Sequence, residues 1–221
     1  MNTRLAYLAL CLAGVCWGLG FPLGKLALRE LEAPHMVMLR FGVAALAAAP
    51  FAFASTEARA LFRSPWVIGA GVLYGVAFLV QFEGLQHVSV TLAALLVGAM
   101  PALIAVCAWA MGEKVSRASW IGVAATTVGA ALIAGKPGGA GSLLGVALSL
   151  GSLLIFLAWL VVLKRAPQAK AALAMPCVTV LVAAATVAPI ALLMHGAPDL
   201  NLSGVAWAGV IGQGVLSTMV A

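Results

Sequence analysis

The sequence predicts an all-α polytopic membrane protein, and three observations lead to that prediction. The chain of 221 residues is 64% hydrophobic and only 8% charged, whereas a soluble domain carries about 25% charged residues. Its mean hydropathy is +1.15, and long apolar runs follow one another with short connections rich in Gly, Pro or charge. A soluble fold of this size could not bury so much apolar surface. The net charge of +6 therefore indicates membrane orientation rather than nucleic-acid binding.

Eight apolar segments can be marked along the chain, each a candidate membrane helix. They are residues 5–27, 34–54, 66–82, 88–111, 118–134, 143–163, 171–194 and 203–221. The fourth would extend roughly 36 Å as a helix, enough to cross a bilayer with some tilt. Pro101 near its middle predicts a kink, which lipid tolerates only beside neighbouring helices or a cavity. Residues 112–117 form a polar turn that joins the fourth and fifth segments as a helical hairpin.

The lysine and arginine residues predict which side of the membrane each connection occupies. With the N-terminus inside, the inner connections hold Arg4, Arg59, Arg63, Lys114, Arg117, Lys164, Arg165 and Lys170. The outer connections hold only Lys25, Arg29 and Lys136. This asymmetry predicts a multi-pass protein of the cell's inner membrane with a cytoplasmic N-terminus.

Weak internal similarity predicts a repeat. Trp17 and Trp159 are 142 positions apart, and Gly71-Val72-Leu73 precedes Gly214-Val215-Leu216 by 143 positions. Segments six to eight also repeat the spacing of segments one to three. A repeat of five spans is odd, so its second copy must be inverted in the membrane, which is a transporter architecture.

Several short motifs occur in a characteristic order in the first part of the chain. They comprise Trp17, Gly18, Phe21, Lys25, Pro34, Arg40, Phe41, Thr91, Ala93, Ala94, Leu95, Leu96, Pro101, Glu113, Gly122 and Gly129. In this order and spacing the sequence resembles the EamA family of the drug/metabolite transporter superfamily. The resemblance extends over essentially the whole chain and is strongest over residues 1–135.

The resemblance implies a fold of ten helices in two inverted five-helix repeats around a central cavity. It implies a membrane transporter, with export favoured, of small metabolites, amino acids or drugs by alternating access, without a cofactor. Residues 1–135 are then the first repeat, and residues 141–221 are a second repeat that carries only helices six to eight of the expected ten. The expected partners are the lipid bilayer, a small-molecule substrate and, optionally, a second copy of the chain.

Two functions from other classes stay open. The absence of the last two helices would suit a transport-inactive truncated remnant or an assembly subunit. An intramembrane enzyme is disfavoured, because the sequence has no catalytic motif such as GxSxG or HExxH. The three histidines, His35, His87 and His195, are scattered, so no metal site is expected.

Four candidate residues for the substrate path lie in the first two segments. Trp17 lies near the predicted midplane beside glycines and a proline, which suits either a bent, cavity-facing helix or close helix packing. The resemblance places Phe21 beside it. Lys25 could extend to the outer headgroups or form an electropositive mouth. Arg40 requires either an ion pair, for example with Glu30 or Glu32, or a polar cavity.

Four further path candidates follow later in the chain. The resemblance implies that Thr91 and Pro101 face the cavity from the fourth segment. Trp159 suits either an interfacial aromatic belt or the path. Gln213 suits either an interhelical hydrogen bond or a substrate contact.

Five residues are expected to be structural. Gly18 and Gly24 belong to two GxxxG pairs, Gly14/Gly18 and Gly20/Gly24, that predict close helix contacts. Glu113 is expected to be structural, either in an ion pair that stabilises the turn of the hairpin or as a partner of a helix end. The resemblance adds two glycines of the fifth segment, Gly122 and Gly129.

Overall fold

The computed structural model describes residues 3–134, 141–167 and 173–220, and every regular element in this part of the chain is helical. The elements are α1 (Thr3–Gly18), α2 (Gly20–Ala27), α3 (Ala33–Phe53), α4 (Thr56–Leu61), α5 (Pro65–Gln86), α6 (Val90–Val97), α7 (Met100–Ala110), α8 (Arg117–Ala134), α9 (Leu143–Leu163), α10 (Ala174–His195), α11 (Gly204–Gly214) and a π-helical turn (Val215–Val220).

Six helical stretches of the described residues are long and apolar enough to cross a membrane. They are Tyr7–Ala27, Ala33–Phe53, Pro65–Gln86, Val90–Ala110, Leu143–Leu163 and Ala174–His195. Each coincides with one of the predicted segments. The protein is therefore an all-α polytopic membrane protein, as its composition predicts.

The other two predicted segments are also helical. Residues 118–134 lie in α8, which has 18 residues and packs on α6 and α7 at the edge of the bundle. Residues 203–221 contain α11, with 11 residues, and the π-helical turn, with 6 residues. Together α11 and the turn fall slightly short of the roughly 20 residues that a bilayer requires.

Two segments predicted as single helices are interrupted at a proline. The first bends at Leu19, between α1 and α2, because Pro22 cannot donate a backbone hydrogen bond to the preceding turn. The fourth breaks at Gly98 and Ala99, and Pro101 lies in the first turn of α7, where a missing N–H costs nothing. The kink expected at Pro101 is thus a break between two shorter helices.

The core of the bundle lies where α3, α5, α9 and α10 meet. Helix α5 contributes Tyr74 and Phe78, whose ring centres lie 4.9 Å apart. These two rings contact those of Phe41, Phe156 and Trp159 at centroid distances of 5.0–6.2 Å. Burial of such rings and their edge-to-face contacts stabilise the packing. This aromatic cluster supports one wall of the site described below.

Small residues allow two of these helices to approach closely. A Cβ added at Gly71 would lie 2.5 Å from Val182, and one at Gly75 would lie 3.0 Å from Val187. Both valines belong to α10. Gly71 and Gly75 therefore let α5 pack closely on α10.

One end of the bundle gathers the connections predicted to be cytoplasmic. The Lys164 ammonium lies 2.9 Å from the Glu113 carboxylate, which joins the turn before α8 to the end of α9. The Arg165 guanidinium lies 5.3 Å from the centre of the Trp66 ring at the start of α5. These connections share one end, as the lysine and arginine pattern requires.

The opposite end joins the connections predicted to be external. Ser203 donates to the Glu30 carboxylate from its backbone N–H at 2.8 Å and also from its hydroxyl. His195 pairs with Glu32, and the His35 ring nitrogen lies 3.0 Å from the Gly196 carbonyl oxygen. The loop after α2 is thereby held against the loop after α10.

Candidate functional site

A small cavity lies between the bend of the first segment and the end of α11. Its volume is about 10 Å³, roughly the space of one water molecule. The residues around it, which define the central cavity, are Trp17, Gly20, Phe21, Arg40, Phe78, Gln81, Phe82, Gln213 and Ser217. The structure thus brings together four of the path residues chosen from the sequence: Trp17, Phe21, Arg40 and Gln213.

Arg40 is buried in the bundle, although it carries a charge. Its side chain is 1% exposed, about 10 Å along α3 from the start of that helix. The guanidinium carbon lies 3.9 Å from the centre of the Phe78 ring and 5.4 Å from that of Phe82. Such cation–π contacts stabilise a desolvated cation by about 2 kcal/mol.

The hydrogen bonds of Arg40 correct one interpretation of the sequence. Its Nε donates to Thr218 Oγ1 at 2.9 Å, and its Nη2 has no hydrogen-bond partner among the described residues. The ion pair considered with Glu30 or Glu32 is wrong, because those carboxylates bind Ser203 and His195 at the end of the bundle. Of the two alternatives, the cavity is the one that the geometry favours.

Gln213 fixes α11 against the bend of the first segment. Its Nε2 donates to the Gly20 carbonyl oxygen, whereas its Oε1 accepts no hydrogen bond from the described residues. One turn later, Ser217 Oγ donates to the Cys16 carbonyl oxygen at 3.0 Å. Gln213 therefore forms the expected interhelical hydrogen bond and also lines the central cavity.

The π-helical turn places Thr218 where Arg40 can reach it. Thr218 Oγ1 donates to the Gln213 carbonyl oxygen at 3.0 Å while it accepts from Arg40. A π-turn frees backbone acceptors and often occurs at functional sites. Here it joins α3 to the end of α11 through one hydroxyl group.

Glycines let these helices approach the cavity closely. A Cβ at Gly24 would collide with the Phe82 ring and lie 2.7 Å from Gln213 Nε2. A Cβ at Gly209 would lie 2.6 Å from the Leu23 carbonyl oxygen. The close contact expected at Gly20/Gly24 is present, and it faces α11.

The second glycine pair of the first segment behaves differently. A Cβ added at Gly14 or Gly18 would meet no described atom within 4 Å. Close helix packing therefore does not account for Gly18 within the described residues. Gly122 in α8 is equally open, and Gly129 lies in the same helix, with its packing outside what the structure describes.

Lys25 lies outside the central cavity. Its ammonium donates to the carbonyl oxygens of Leu85 at 2.6 Å and Val88 at 3.1 Å. The Leu85 carbonyl lies in the last turn of α5, where a cation is favoured by the helix dipole, and Val88 follows the end of that helix. Lys25 also borders an open recess that holds Arg29, Glu30 and Glu32. Because two acidic residues balance the two basic ones there, the electropositive mouth considered for Lys25 stays a prediction.

The remaining path candidates lie apart from the central cavity. Thr91 is exposed on α6 and Pro101 is exposed at the start of α7. Trp159 lies beside Tyr74, with ring centres 5.0 Å apart, in the aromatic cluster behind Phe78. Their role in a substrate path stays a prediction.

Glu113 forms an ion pair outside its own turn. Its partner is Lys164 at the end of α9. The pair is about half exposed, and such surface pairs contribute roughly 0–1 kcal/mol. Its role is to position the hairpin rather than to supply much stability.

Three polar residues of the site were not among the candidates chosen from the sequence. Gln81 on α5 lines the cavity with 4% exposure, and Ser217 and Thr218 supply the hydroxyls of the π-helical turn. Gln81 could have been found by the reasoning that selected Gln213, since both are amides inside an apolar segment. Ser217 and Thr218 gave no such signal, because membrane helices accommodate hydroxyl groups readily.

A titratable group with a shifted pKa lies where the loop after α2 meets the start of α11. The hydrogen bonds from the Ser203 side chain and backbone lower the pKa of the Glu30 carboxyl. Ser203 is also the N-cap of α11, where its hydroxyl accepts from the Ala206 N–H at 3.2 Å. Glu30 therefore anchors the start of α11 most strongly in its ionised form.

Comparison with known proteins agrees with this architecture. No curated protein matches the chain. The model of the EamA-like transporter family matches residues 4–135, which include α1–α8 and all of the central cavity except Gln213 and Ser217. Since this match covers more than half of the sequence, the chain belongs to the EamA-like transporter family.

Proposed function

We propose that the protein exports small organic solutes across the inner membrane by alternating access at the central cavity. The observation that supports this most directly is the composition of the cavity wall. Helices α1, α2, α3 and α5 of the predicted first repeat meet α11 and the π-helical turn of the predicted second repeat. Transporters with inverted repeats bind their substrates near the membrane midplane at such a junction.

Five helix contacts support the proposed repeat. Exchange of the two repeats replaces the first segment by α9, α3 by α10 and α5 by α11. The α2–α11 contact then corresponds to α9–α5, and α3–α11 corresponds to α10–α5. All four contacts occur, together with α3–α10, which maps onto itself.

Three hydrogen bonds join the walls of the cavity in this conformation. Arg40–Thr218, Gln213–Gly20 and Ser217–Cys16 each join the first three helices to α11 or the π-helical turn. About 10 Å³ cannot hold an organic solute. Transport therefore requires these hydrogen bonds to break. Replacing each of them by a hydrogen bond with water costs only about 1 kcal/mol.

The orientation belongs to the same proposal. The end that carries Glu113, Lys164 and Arg165 has the basic connections, so the positive-inside rule assigns it to the cytoplasm. The end with Glu30, Ser203 and His195 then faces outward. Export, rather than import, rests on the resemblance to the family.

Trp17→Ala tests the proposed path. Trp17 is 41% exposed at the edge of the cavity, where its ring can contact a passing solute. Loss of an aromatic contact costs about 0.5–1.5 kcal/mol, so we expect efflux to fall roughly three- to tenfold. The measurement is efflux of radiolabelled amino acids, hydroxy acids and small drugs from cells that express the chain, relative to cells with empty vector.

The matched control is Trp109→Ala, which removes an exposed tryptophan of α7 away from the cavity. We expect this variant to transport like the parent protein. If the parent chain is folded and inserted but moves no solute of the panel faster than empty vector, the proposed function is wrong. If Trp17→Ala and Trp109→Ala behave alike, the path does not pass Trp17.

A further inference from the structure

Three polar atoms of the central cavity lack hydrogen-bond partners among the described residues. They are the donors Arg40 Nη2 and Gln81 Nε2 and the acceptor Gln213 Oε1. Their side chains are 1%, 4% and 0% exposed, and all three line one cavity. They come from α3, α5 and α11, so no single local sequence feature brings them together.

Leaving these atoms unpaired is costly in a membrane. A buried donor or acceptor without a hydrogen bond costs about 1–3 kcal/mol, and more when it is charged. The Phe78 ring under the guanidinium eases the charge but accepts no hydrogen bond in the guanidinium plane. Among the described residues, no carboxylate pairs with Arg40. A bound solute that supplied the matching atoms would recover that energy.

The chemistry of the three unpaired groups indicates which atoms a bound solute should supply. Two donors, one of them a guanidinium N–H, match the oxygens of a carboxylate, which Arg binds better than other cations do. The unsatisfied Gln213 oxygen requires an N–H or O–H donor on the same solute. A phosphate dianion suits the site less well, because Arg40 alone can neutralise only one charge. A cationic solute would be repelled.

We propose that the central cavity recognises a solute that carries a carboxylate and a neighbouring hydrogen-bond donor. Arg40 Nη2 and Gln81 Nε2 donate to the carboxylate, and Gln213 Oε1 accepts from an ammonium or hydroxyl group of the same solute. The aromatic wall of Phe21, Phe78 and Phe82 receives the apolar part. This inference rests on the proposed transport function, and it adds a substrate class and the residues that bind that substrate.

The test uses matched solutes with the purified full chain in proteoliposomes. The probes are phenylalanine, phenyllactate, their two primary amides, and 3-phenylpropionate, which has the carboxylate without the second donor. We expect phenylalanine or phenyllactate to raise the apparent Tm and to be taken up. The amides should bind at least tenfold more weakly, and 3-phenylpropionate should bind several-fold more weakly. Preference between the first two shows whether the donor is an ammonium or a hydroxyl group.

Variants connect the binding to the residues. Arg40→Gln should reduce the affinity for the carboxylate probes at least tenfold and abolish their advantage over the amides. Gln81→Leu serves as a second variant, because it removes a neutral buried amide whose Nε2 has no hydrogen-bond partner among the described residues, and it should fold. It should weaken carboxylate binding about three- to tenfold. Arg165→Gln, which removes an arginine beside Trp66 at the membrane surface, should leave binding unchanged.

The outcomes separate the two proposals. If amides are bound and transported as well as carboxylates, or if Arg40→Gln and Gln81→Leu retain the preference for carboxylates, the recognition proposal is overturned and the transport function stands. If the parent chain moves none of the probes and none of the amino acids, hydroxy acids and drugs of the efflux panel, both proposals fail. Weakening by Arg165→Gln equal to that by Arg40→Gln would also overturn the recognition proposal.

Discussion

Two helix interfaces of this bundle are built on glycines, yet they differ in what closes them. Between α5 and α10, Gly71 and Gly75 lie against the valines and backbone of α10. The threonines of α10, Thr179 and Thr186, donate to carbonyl oxygens of their own helix, at 2.9 Å in each case. In the described residues, no side-chain hydrogen bond joins α5 to α10.

The interface of the first segment with α11 also uses small residues, but polar groups cross it. Gly24 and Gly209 permit the approach, and Gln213 and Ser217 donate across it to the carbonyl oxygens of Gly20 and Cys16. Gln213 Oε1 at this interface has no hydrogen-bond partner among the described residues, and Arg40 and Gln81, which line the same cavity, each have an unpaired donor. In the described residues, the α5–α10 interface is held by packing alone. The α2–α11 interface also has hydrogen bonds across it and a polar atom without a partner. The first therefore suits a rigid support and the second suits a contact that opens.

Gly71→Ala should have the largest effect on stability. The new Cβ would lie 2.5 Å from Val182 and 3.0 Å from the Thr179 carbonyl oxygen, and the backbone atom cannot move aside. Such overpacking costs about 1–3 kcal/mol. We expect the apparent Tm in detergent to fall by roughly 5 °C, measured by the loss of monomeric protein on heating.

The matched control is Gly151→Ala in α9, where an added Cβ meets no described atom within 4 Å. Replacement of a helical glycine by alanine there should stabilise the helix by up to about 1 kcal/mol. The idea of a rigid, fully packed α5–α10 interface is wrong if the two variants have the same Tm.

Gln213→Leu should affect transport more than stability. The variant loses the bond to the Gly20 carbonyl and the acceptor of the cavity, but leucine fills the same volume. We expect stability to change by less than about 1.5 kcal/mol and transport to fall about tenfold, equivalent to roughly 1.4 kcal/mol. The measurements are the apparent Tm and the initial rate of efflux.

Thr179→Val provides the comparison within the other interface. It removes a buried hydroxyl that bonds only within α10, so transport should stay near the parent level. Equal losses of transport in Gln213→Leu and Thr179→Val would show that any buried polar group matters and would remove the distinction between the two interfaces.

The fold was largely predictable because its physical basis is local. Apolar length predicts each membrane helix, and Pro22 and Pro101 mark both interruptions. The exact form of each interruption was not predictable, since Pro101 could either kink one helix or begin a second one. That outcome depends on whether the helical hydrogen-bond pattern continues through Gly98 and Ala99, which both keep helical dihedrals.

The site was predictable only where a polar or charged residue lies in an otherwise apolar segment. A charge at Arg40 or an amide at Gln213 conflicts with an apolar helix, so both stand out in the sequence. The partner of Arg40 did not, because Thr218 lies 178 positions away and is positioned by a π-helical turn. Similarly, the open surroundings of Gly18 and the packing of Gly24 depend on which face meets α11, and a GxxxG pattern alone does not specify that face.

The smallest effect should appear at the rim of the opening interface, in Glu30→Gln. Because hydrogen bonds from Ser203 lower the pKa of Glu30 in the folded protein, ionised Glu30 stabilises the fold at pH values above its ordinary pKa. That contribution is lost as the pH falls through the lowered pKa of the folded state. Glu30→Gln should therefore lower the apparent Tm slightly at pH 7, and the difference from the parent should vanish in acid. Glu83→Gln, at the end of α5 away from Ser203, provides the control. A constant difference across the titration for Glu30→Gln would show that charge at Glu30 does not hold α11 in place.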